Sequence, residues 1–153
     1  NGICWDSVIE TEFTRKKQPD WLMKGDVLFA ARGSRNYAVM IGQDEEQVVA
    51  SPHFYILRVK AHTLLPEFLV WQLNQKPLQN YFDSAAEGTL TKSVRRSILE
   101  KTEITVLPIE RQRQILRLHE TLLREKKLYA ELIRNADKLL NAIASDLVAD
   151  KTL

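Results

Sequence analysis

The sequence is poor in cysteine and has no long apolar run, and each scarcity excludes a class of protein. Cys4 is the only cysteine among 153 residues, so an internal disulfide framework is excluded and a reducing compartment is expected. No apolar stretch approaches the roughly 20 residues that a membrane-spanning helix needs, and no signal peptide is visible. We therefore expect a cytoplasmic protein that makes no membrane contact.

An excess of either charge is also lacking, which removes the simplest argument for a nucleic-acid-binding protein. The 22 Lys and Arg residues oppose 20 Asp and Glu residues, for a net charge of +2. The net charge therefore argues neither for nor against DNA binding. A positive surface for DNA must come from local clusters of Lys and Arg.

The usual arrangements of catalytic and metal-binding residues are missing as well. The sequence has no phosphate-binding glycine loop of the Walker type, no cysteine pair for zinc and no serine in a nucleophile elbow. Asp26 and Glu87 are isolated carboxylates, which are more typical of turns than of acid–base pairs. His53 has no second histidine or acid at ligand spacing, so a structural role is favoured over a metal site. The pattern indicates a binding module with no catalytic residues, metal or cofactor.

What the sequence does contain is one long amphipathic segment, from Pro108 to Leu147. No glycine or proline interrupts it after Pro108, and about 40 helical residues span on the order of 60 Å. We call its main apolar row the seam, which only Glu125 interrupts: Ile115, Leu118, Leu122, Tyr129, Leu132, Ala136, Leu139 and Ile143. A second row widens this stripe: Leu116, Leu123, Ile133, Leu140 and Leu147. We predict a helix that pairs with a helix of another molecule; packing on its own small domain is the alternative.

A β-hairpin is predicted ahead of this helix. Two apolar runs of strand length, Val27–Ala31 and Tyr37–Ile41, flank a polar turn that contains Gly33. The tip of such a hairpin presents side chains that can pair with the edges of guanine and adenine: Arg32, Ser34, Arg35, Asn36 and Tyr37. The alternative is a hairpin tip whose polar residues are only solvated.

The remaining segments predict a mixed fold. Strands are expected at Val48–Ser51, Phe54–Val59 and Glu103–Leu107. Helices are expected from Pro66, with Phe68, Leu69 and Leu73 inside, and from Pro77, burying Leu78, Tyr81 and Phe82. The fold class is therefore α+β: a small β-rich domain with short helices, followed by one long C-terminal coiled-coil helix.

Two further polar passages carry phosphate-binding side chains. The first is the basic triplet Arg15, Lys16 and Lys17, for which a solvated loop is the alternative. The second runs from Ser84 to Arg96, and its contact candidates are Thr89, Thr91, Lys92, Arg95 and Arg96. Within it, Ser93 is also expected to cap a short helix that extends through Leu99.

Three blocks in this order resemble the specificity subunit of type I restriction-modification systems. They are Lys24-Gly25-Asp26-Val27-Leu28, the Gly-Thr-Leu-Thr-Lys core at 88–92, and Ile-Thr-Val-Leu-Pro-Ile-Glu-Arg-Gln-Arg-Gln-Ile at 104–115. In that family a short strand ends in Leu-Pro, and a Gln soon after precedes an apolar position of a long conserved helix. The resemblance covers residues 24 to 147.

The resemblance implies a non-catalytic target recognition domain at 1–107, truncated at its N-terminal end, and a spacer helix at 108–153. Such domains read one half of a split site in double-stranded DNA. In the family, an antiparallel pair of spacer helices separates two domains and docks the methyltransferase (modification) subunits, and through them the restriction subunit. With one domain and one helix, this chain resembles either a half-size subunit or an excised half. We expect two copies to form a homodimer for DNA methylation at an interrupted palindrome.

Two other classes stay open on the sequence alone. The first is a coiled-coil adaptor that binds a partner protein and has no DNA-binding role; such a protein lacks the steep salt dependence of phosphate contacts. The second is an enzyme with an unrecognised site, which requires paired, perturbed ionisable groups in a deep pocket.

Overall fold

A computed structural model describes residues 8–10, 18–43, 47–88 and 92–149. The chain divides into two compact units, Asn1–Arg113 and Gln114–Leu153. The regular elements within the described ranges are β1 (Val27–Ala30), β2 (Arg32–Gly33), β3 (Ala38–Met40), β4 (Phe54–Leu57), α1 (Pro66–Leu73), α2 (Lys76–Ala85), β5 (Lys92–Ser93), α3 (Arg96–Glu100) and α4 (Ile109–Ala149). The predicted α+β class and the long C-terminal helix are confirmed.

β1 lies at the centre of a three-stranded antiparallel sheet, between β3 and β4. Its four residues are apolar and buried, and successive side chains of a strand point to opposite faces. Val27 and Phe29 therefore enter the main core with residues of α1 and α2, whereas Leu28 packs with Leu22 and Ile41. Because both faces are covered, β1 is a continuous apolar run rather than an alternating one. Its pairing with β3 confirms the predicted hairpin.

A buried carboxylate ties the start of β1 to the end of β4. Asp26 accepts hydrogen bonds from the backbone N–H of Met23 (3.0 Å) and from Nε and Nη2 of Arg58 (2.9 and 3.1 Å). Arg58 also donates to the carbonyl of Trp21 (2.9 Å) and pairs with Asp20 (2.7 Å). The hydrogen bond to Asp26, followed by that to Asp20, raises the pKa of Arg58 above its usual value. Asp26 is thus a structural charge, satisfied by three donors.

Helices α1 and α2 cover one face of the sheet. Pro66 occupies the first turn of α1, where its missing N–H costs nothing, and Phe68 and Leu73 of this helix are buried. In α2, Phe82 is fully buried and its ring meets that of Phe29 edge-on at 4.9 Å. The prediction that α2 also buries Tyr81 is wrong, because this side chain lies on the exposed side of the helix.

The side chain of Asn74 closes the outer edge of the sheet at β3. Its Oδ1 accepts a hydrogen bond from the backbone N–H of Ala38 (2.9 Å), and its Nδ2 donates to the carbonyl of the same residue (2.8 Å). The amide therefore occupies the position of a neighbouring strand and satisfies an edge that is otherwise open to pairing. Asn74 directly follows α1, so this contact also fixes that helix against the sheet.

Three expectations about secondary structure are wrong. Val48–Ser51 forms no strand and contributes an isolated bridge between Val49 and Trp21. Glu103–Leu107 pairs with no strand of the described residues; instead the side chain of Gln72 accepts from the N–H of Thr105 (3.0 Å) and donates to its carbonyl (2.9 Å). Ser93 does not cap α3, whose N-cap position is Arg95 and has no side-chain cap. In the first two cases a backbone group is satisfied by a single bridge or by a side chain from a distant segment, which strand patterns do not encode.

Helix α4 runs without interruption from Ile109 to Ala149. Its first turn contains Gln112, whose side chain is fully buried within the unit that ends at Arg113. Oε1 accepts from the N–H of Leu65 (2.9 Å), while Nε2 donates to the carbonyls of Thr63 (2.7 Å) and Leu107 (2.6 Å). Three backbone groups are thereby satisfied at once where the chain enters the helix. In the described ranges no helix has the length and apolar character needed to cross a membrane.

Candidate nucleic-acid interface

The two predicted DNA-contacting passages that the structure describes lie side by side. β2 and β5 pair in an antiparallel ladder, with Arg32 opposite Ser93 and Gly33 opposite Lys92. The ladder is extended by a hydrogen bond from the N–H of Val94 to the carbonyl of Ala31 (2.8 Å). The turn after β1 and the passage before α3, which are far apart in the sequence, therefore form one surface region. We call it the β2–β5 region.

The turn between β2 and β3 presents most, though not all, of its predicted side chains. Arg32, Ser34 and Arg35 are exposed, and the ring of Tyr37 is 45 % exposed. Asn36 is the exception, and the prediction that the tip presents it is wrong: it is 1 % exposed, and its Nδ2 donates to the carbonyl of Ala30 (2.9 Å). Its side chain holds the turn from inside, so it is not available to a base edge.

The passage after β5 carries two exposed arginines, each paired with a carboxylate. Arg95 contacts Glu87 (Nη2 to Oε1, 2.7 Å), and Arg96 contacts Glu100 one helical turn later (Nε to Oε1, 2.7 Å). The hydrogen bond to Glu100 raises the pKa of Arg96 above its usual value. Ion pairs between exposed side chains contribute little to stability, so a phosphate group can replace these carboxylates at low cost.

Some predicted contact residues cannot be compared with the structure. Arg15, Lys16 and Lys17 lie outside the described residues, as do Thr89 and Thr91. The backbone of Lys92 is described as part of β5, but its side chain is not.

An apolar cavity of about 450 Å³ lies elsewhere in the first unit, between the end of β4, α1 and α3. Leu57, Leu69 and Leu99 are among its lining residues, and Arg58 and Lys60 are its charged ones. It brings together no pair of acids or histidines. Across the described ranges, no three His, Cys, Asp or Glu side chains form a group that could hold a metal ion.

Helix α4 presents a second candidate surface, made of apolar side chains. Six of the predicted seam residues are between 46 and 66 % exposed: Leu118, Leu122, Tyr129, Leu132, Leu139 and Ile143. Of the other two, Ile115 is half-buried and Ala136 is exposed. The second apolar row is also uncovered at Leu123, Ile133, Leu140 and Leu147. An exposed apolar stripe of this kind is typical of a protein-binding surface.

Sequence patterns did not identify three side-chain amides that form hydrogen bonds with the backbone. Gln112, Asn74 and Gln72 each satisfy backbone groups through their side chains. Their positions at helix ends were the one sequence feature that could have identified two of them. Gln112 lies in the first turn of the long helix, and Asn74 directly follows α1. Polar residues at helix ends often bond to the backbone, but the partners depend on the tertiary fold.

Comparison with known proteins identifies the family. The family model for the type I restriction modification DNA specificity domain matches residues 4–134 of this 153-residue chain. A search of curated proteins gave no match. The matched region contains the β2–β5 region, Gln112 and the first part of the α4 seam. Since the match covers most of the sequence, the chain belongs to the family of type I restriction-modification DNA specificity domains.

Proposed function

We propose that this protein is the sequence-reading subunit of a type I restriction-modification system, and that one copy reads one half of a bipartite site in double-stranded DNA. The observation that carries the proposal is the antiparallel pairing of β2 with β5 in a chain of this family. It brings together two passages that are far apart in the sequence and that each carry side chains able to contact DNA. The proposed place of action is the cytoplasm, where such a subunit meets DNA.

The proposed contacts divide between base reading and phosphate binding. Arg32 and Arg35 carry guanidinium groups, which bind guanine through paired hydrogen bonds, while Tyr37 adds an exposed ring. Lys92, Arg95 and Arg96 are assigned to phosphates, which fix the position of a protein on the duplex without reading sequence. Asn36 is left out because its amide is buried. Arg15, Lys16, Lys17, Thr89, Thr91 and the side chain of Lys92 stay in the proposal on their sequence alone.

The α4 seam is proposed to hold two copies together in an antiparallel pair. A two-fold dimer then presents two identical recognition domains to an interrupted palindrome. Exposure of the seam side chains supports this pairing, since an uncovered apolar stripe gains most by being removed from water. In the same proposal the helix pair positions the methyltransferase subunits beside the DNA and, through them, the restriction subunit.

The β2–β5 proposal is tested by replacing Arg35 with alanine and measuring duplex affinity at several salt concentrations. Loss of a bidentate base contact should weaken binding to the preferred site by about 1–3 kcal/mol, or roughly fivefold to 150-fold. Arg113→Ala is the matched control, because Arg113 is an exposed arginine that forms an ion pair with Glu110 in the first turn of α4. Equal affinity and sequence preference in both variants would contradict the assignment.

The exposed seam also favours a second function, that of a coiled-coil adaptor without DNA-binding activity. The same titration separates the two. A DNA-reading subunit loses affinity steeply as salt rises, because phosphate contacts release counterions. Failure to bind any duplex at low salt, together with intact pairing through α4, would favour the adaptor.

A further inference from the structure

We propose that Glu125 sets the alignment of the two α4 helices by accepting a hydrogen bond from Tyr129 of the second copy. The inference rests on the proposed pairing of two copies and goes beyond it by selecting one alignment among several. It starts from the one seam position that is not apolar. Glu125 and Tyr129 both lie on α4, where Tyr129 is 66 % exposed and Glu125 is exposed.

The heptad pattern permits a small set of alignments. In an antiparallel pair with two-fold symmetry, moving one helix by a heptad gives another arrangement in which seam faces seam. Each arrangement gives Glu125 a different opposite residue on the second copy. Within the seam these are Leu122, Tyr129, Ala136 and Ile143 in successive alignments. One further step would place Ile115 opposite Glu125, but the seam from Tyr129 to Ile143 would then face no seam residue, so that alignment is set aside.

Only one of these opposite residues can donate a hydrogen bond. Leu122, Ala136 and Ile143 leave the carboxylate against a hydrocarbon surface, where a charge without a partner is strongly unfavourable. Tyr129 offers a phenolic O–H, and hydrogen bonds to an ionised acceptor are among the stronger ones. Two-fold symmetry produces the contact twice, once on each side of the axis.

Most of the remaining seam contacts in this alignment are apolar. With Glu125 facing the partner's Tyr129, Leu122 faces Leu132 and Ile115 faces Leu139. Leu118 then faces Ala136, and only Ile143, near the end of the seam, faces a charged residue, Arg111. With Glu125 facing Ala136 instead, Ile115 faces Asp146, and a second carboxylate is set against a hydrocarbon side chain. The Tyr129 alignment also brings Lys126 of both copies near the axis, beside the two Glu125 carboxylates.

Interspin distances measure the alignment directly in the full chain. With Cys4 replaced by serine, one spin label is placed at Glu120 and, in a second protein, at Asn141. Both positions lie on the side of α4 away from the seam, so the sideways separation of the labels is similar. The separations along the axis then differ, at about 21 Å for Glu120 and about 42 Å for Asn141.

The other alignments give distinct results. If Glu125 faces Ala136, the two separations along the axis are equal, at about 32 Å each. If it faces Ile143, their order is reversed. If it faces Leu122, they are about 11 Å for Glu120 and about 53 Å for Asn141. Each of these results overturns the alignment while leaving the pairing intact. A short separation at both positions indicates parallel helices and overturns both. Absence of any dipolar coupling indicates that the copies do not pair, which overturns the proposed dimer.

The hydrogen bond itself is tested by Tyr129→Phe, which removes the hydroxyl and keeps the ring. We expect the dimer dissociation constant to rise at least about tenfold, because two carboxylates lose their donor. Tyr81→Phe is the matched control, since Tyr81 is an exposed tyrosine in the first unit. Adding Glu125→Leu to Tyr129→Phe should restore tight pairing. A Tyr129→Phe dimer as tight as the Tyr81→Phe dimer would overturn the proposed contact.

Discussion

Replacing Gln112 with alanine should destabilise the first unit more than any exposed substitution in it. The side chain is fully buried and makes three hydrogen bonds, to the N–H of Leu65 and the carbonyls of Thr63 and Leu107. At about 1 kcal/mol for each bond, plus the cost of leaving part-buried backbone groups unpaired, the free energy of unfolding should fall by about 3–5 kcal/mol. The Gln112→Glu variant should be at least as unstable, because its second oxygen then faces two carbonyl oxygens.

The control for this prediction is Gln72→Ala, which removes a glutamine with two hydrogen bonds to Thr105 in an exposed environment. Water can replace those bonds, so a loss of about 1 kcal/mol is expected. Urea denaturation at one fixed protein concentration measures both variants and keeps any dimer contribution constant. If Gln112→Ala loses no more stability than Gln72→Ala, the assigned role of the buried amide is wrong.

Three further predictions concern other contacts. Asn74→Ala should lower the free energy of unfolding, measured by urea denaturation, by about 1–3 kcal/mol, and should speed the hydrogen exchange of the Ala38 amide. Unchanged exchange would show that the edge of β3 does not depend on the Asn74 side chain. Asp26→Asn should cost about 2–4 kcal/mol in the same urea assay, because it leaves Arg58 without its most buried partner; a loss below 1 kcal/mol would contradict this. Glu87→Gln should tighten duplex binding a few-fold at low salt, because it frees Arg95 for phosphate, whereas weaker binding would remove Arg95 from the proposed interface.

The hairpin and the long helix were predictable because each has a strong local signal. Val27–Ala31 is a continuous apolar run next to a turn with Gly33, and the confirmed strand β1 is the most buried of the sheet. The seam repeats over many turns without a glycine or proline, so the predicted helix differs from α4 by only a few residues at its ends.

The side chains that satisfy backbone groups were not predictable in the same way. Two segments have the residue composition of strands but form none. Val48–Ser51 makes a single bridge, between Val49 and Trp21, and Glu103–Leu107 is bonded instead by the side-chain amide of Gln72. Asparagine is common at exposed turn positions, but the side-chain amide of Asn36 is buried and donates to the carbonyl of Ala30. These outcomes depend on which distant segment supplies the partner, and that information is not local in sequence.

The candidate site has one part that was predictable from local sequence and one part that was not. The two passages of the β2–β5 region were identified separately, from arginine, lysine and hydroxyl side chains. Their adjacency follows from the pairing of Arg32 with Ser93, which no local pattern encodes because two-residue strands carry almost no periodicity.

The most direct test is a binding selection with the full chain against random double-stranded DNA, with the methyltransferase subunit present. We expect enrichment of one interrupted palindrome, with two identical half-sites at a fixed spacing, and loss of that enrichment in Arg35→Ala. Recovery of random sequence by the wild-type chain, at salt concentrations where it still binds DNA, would contradict the account.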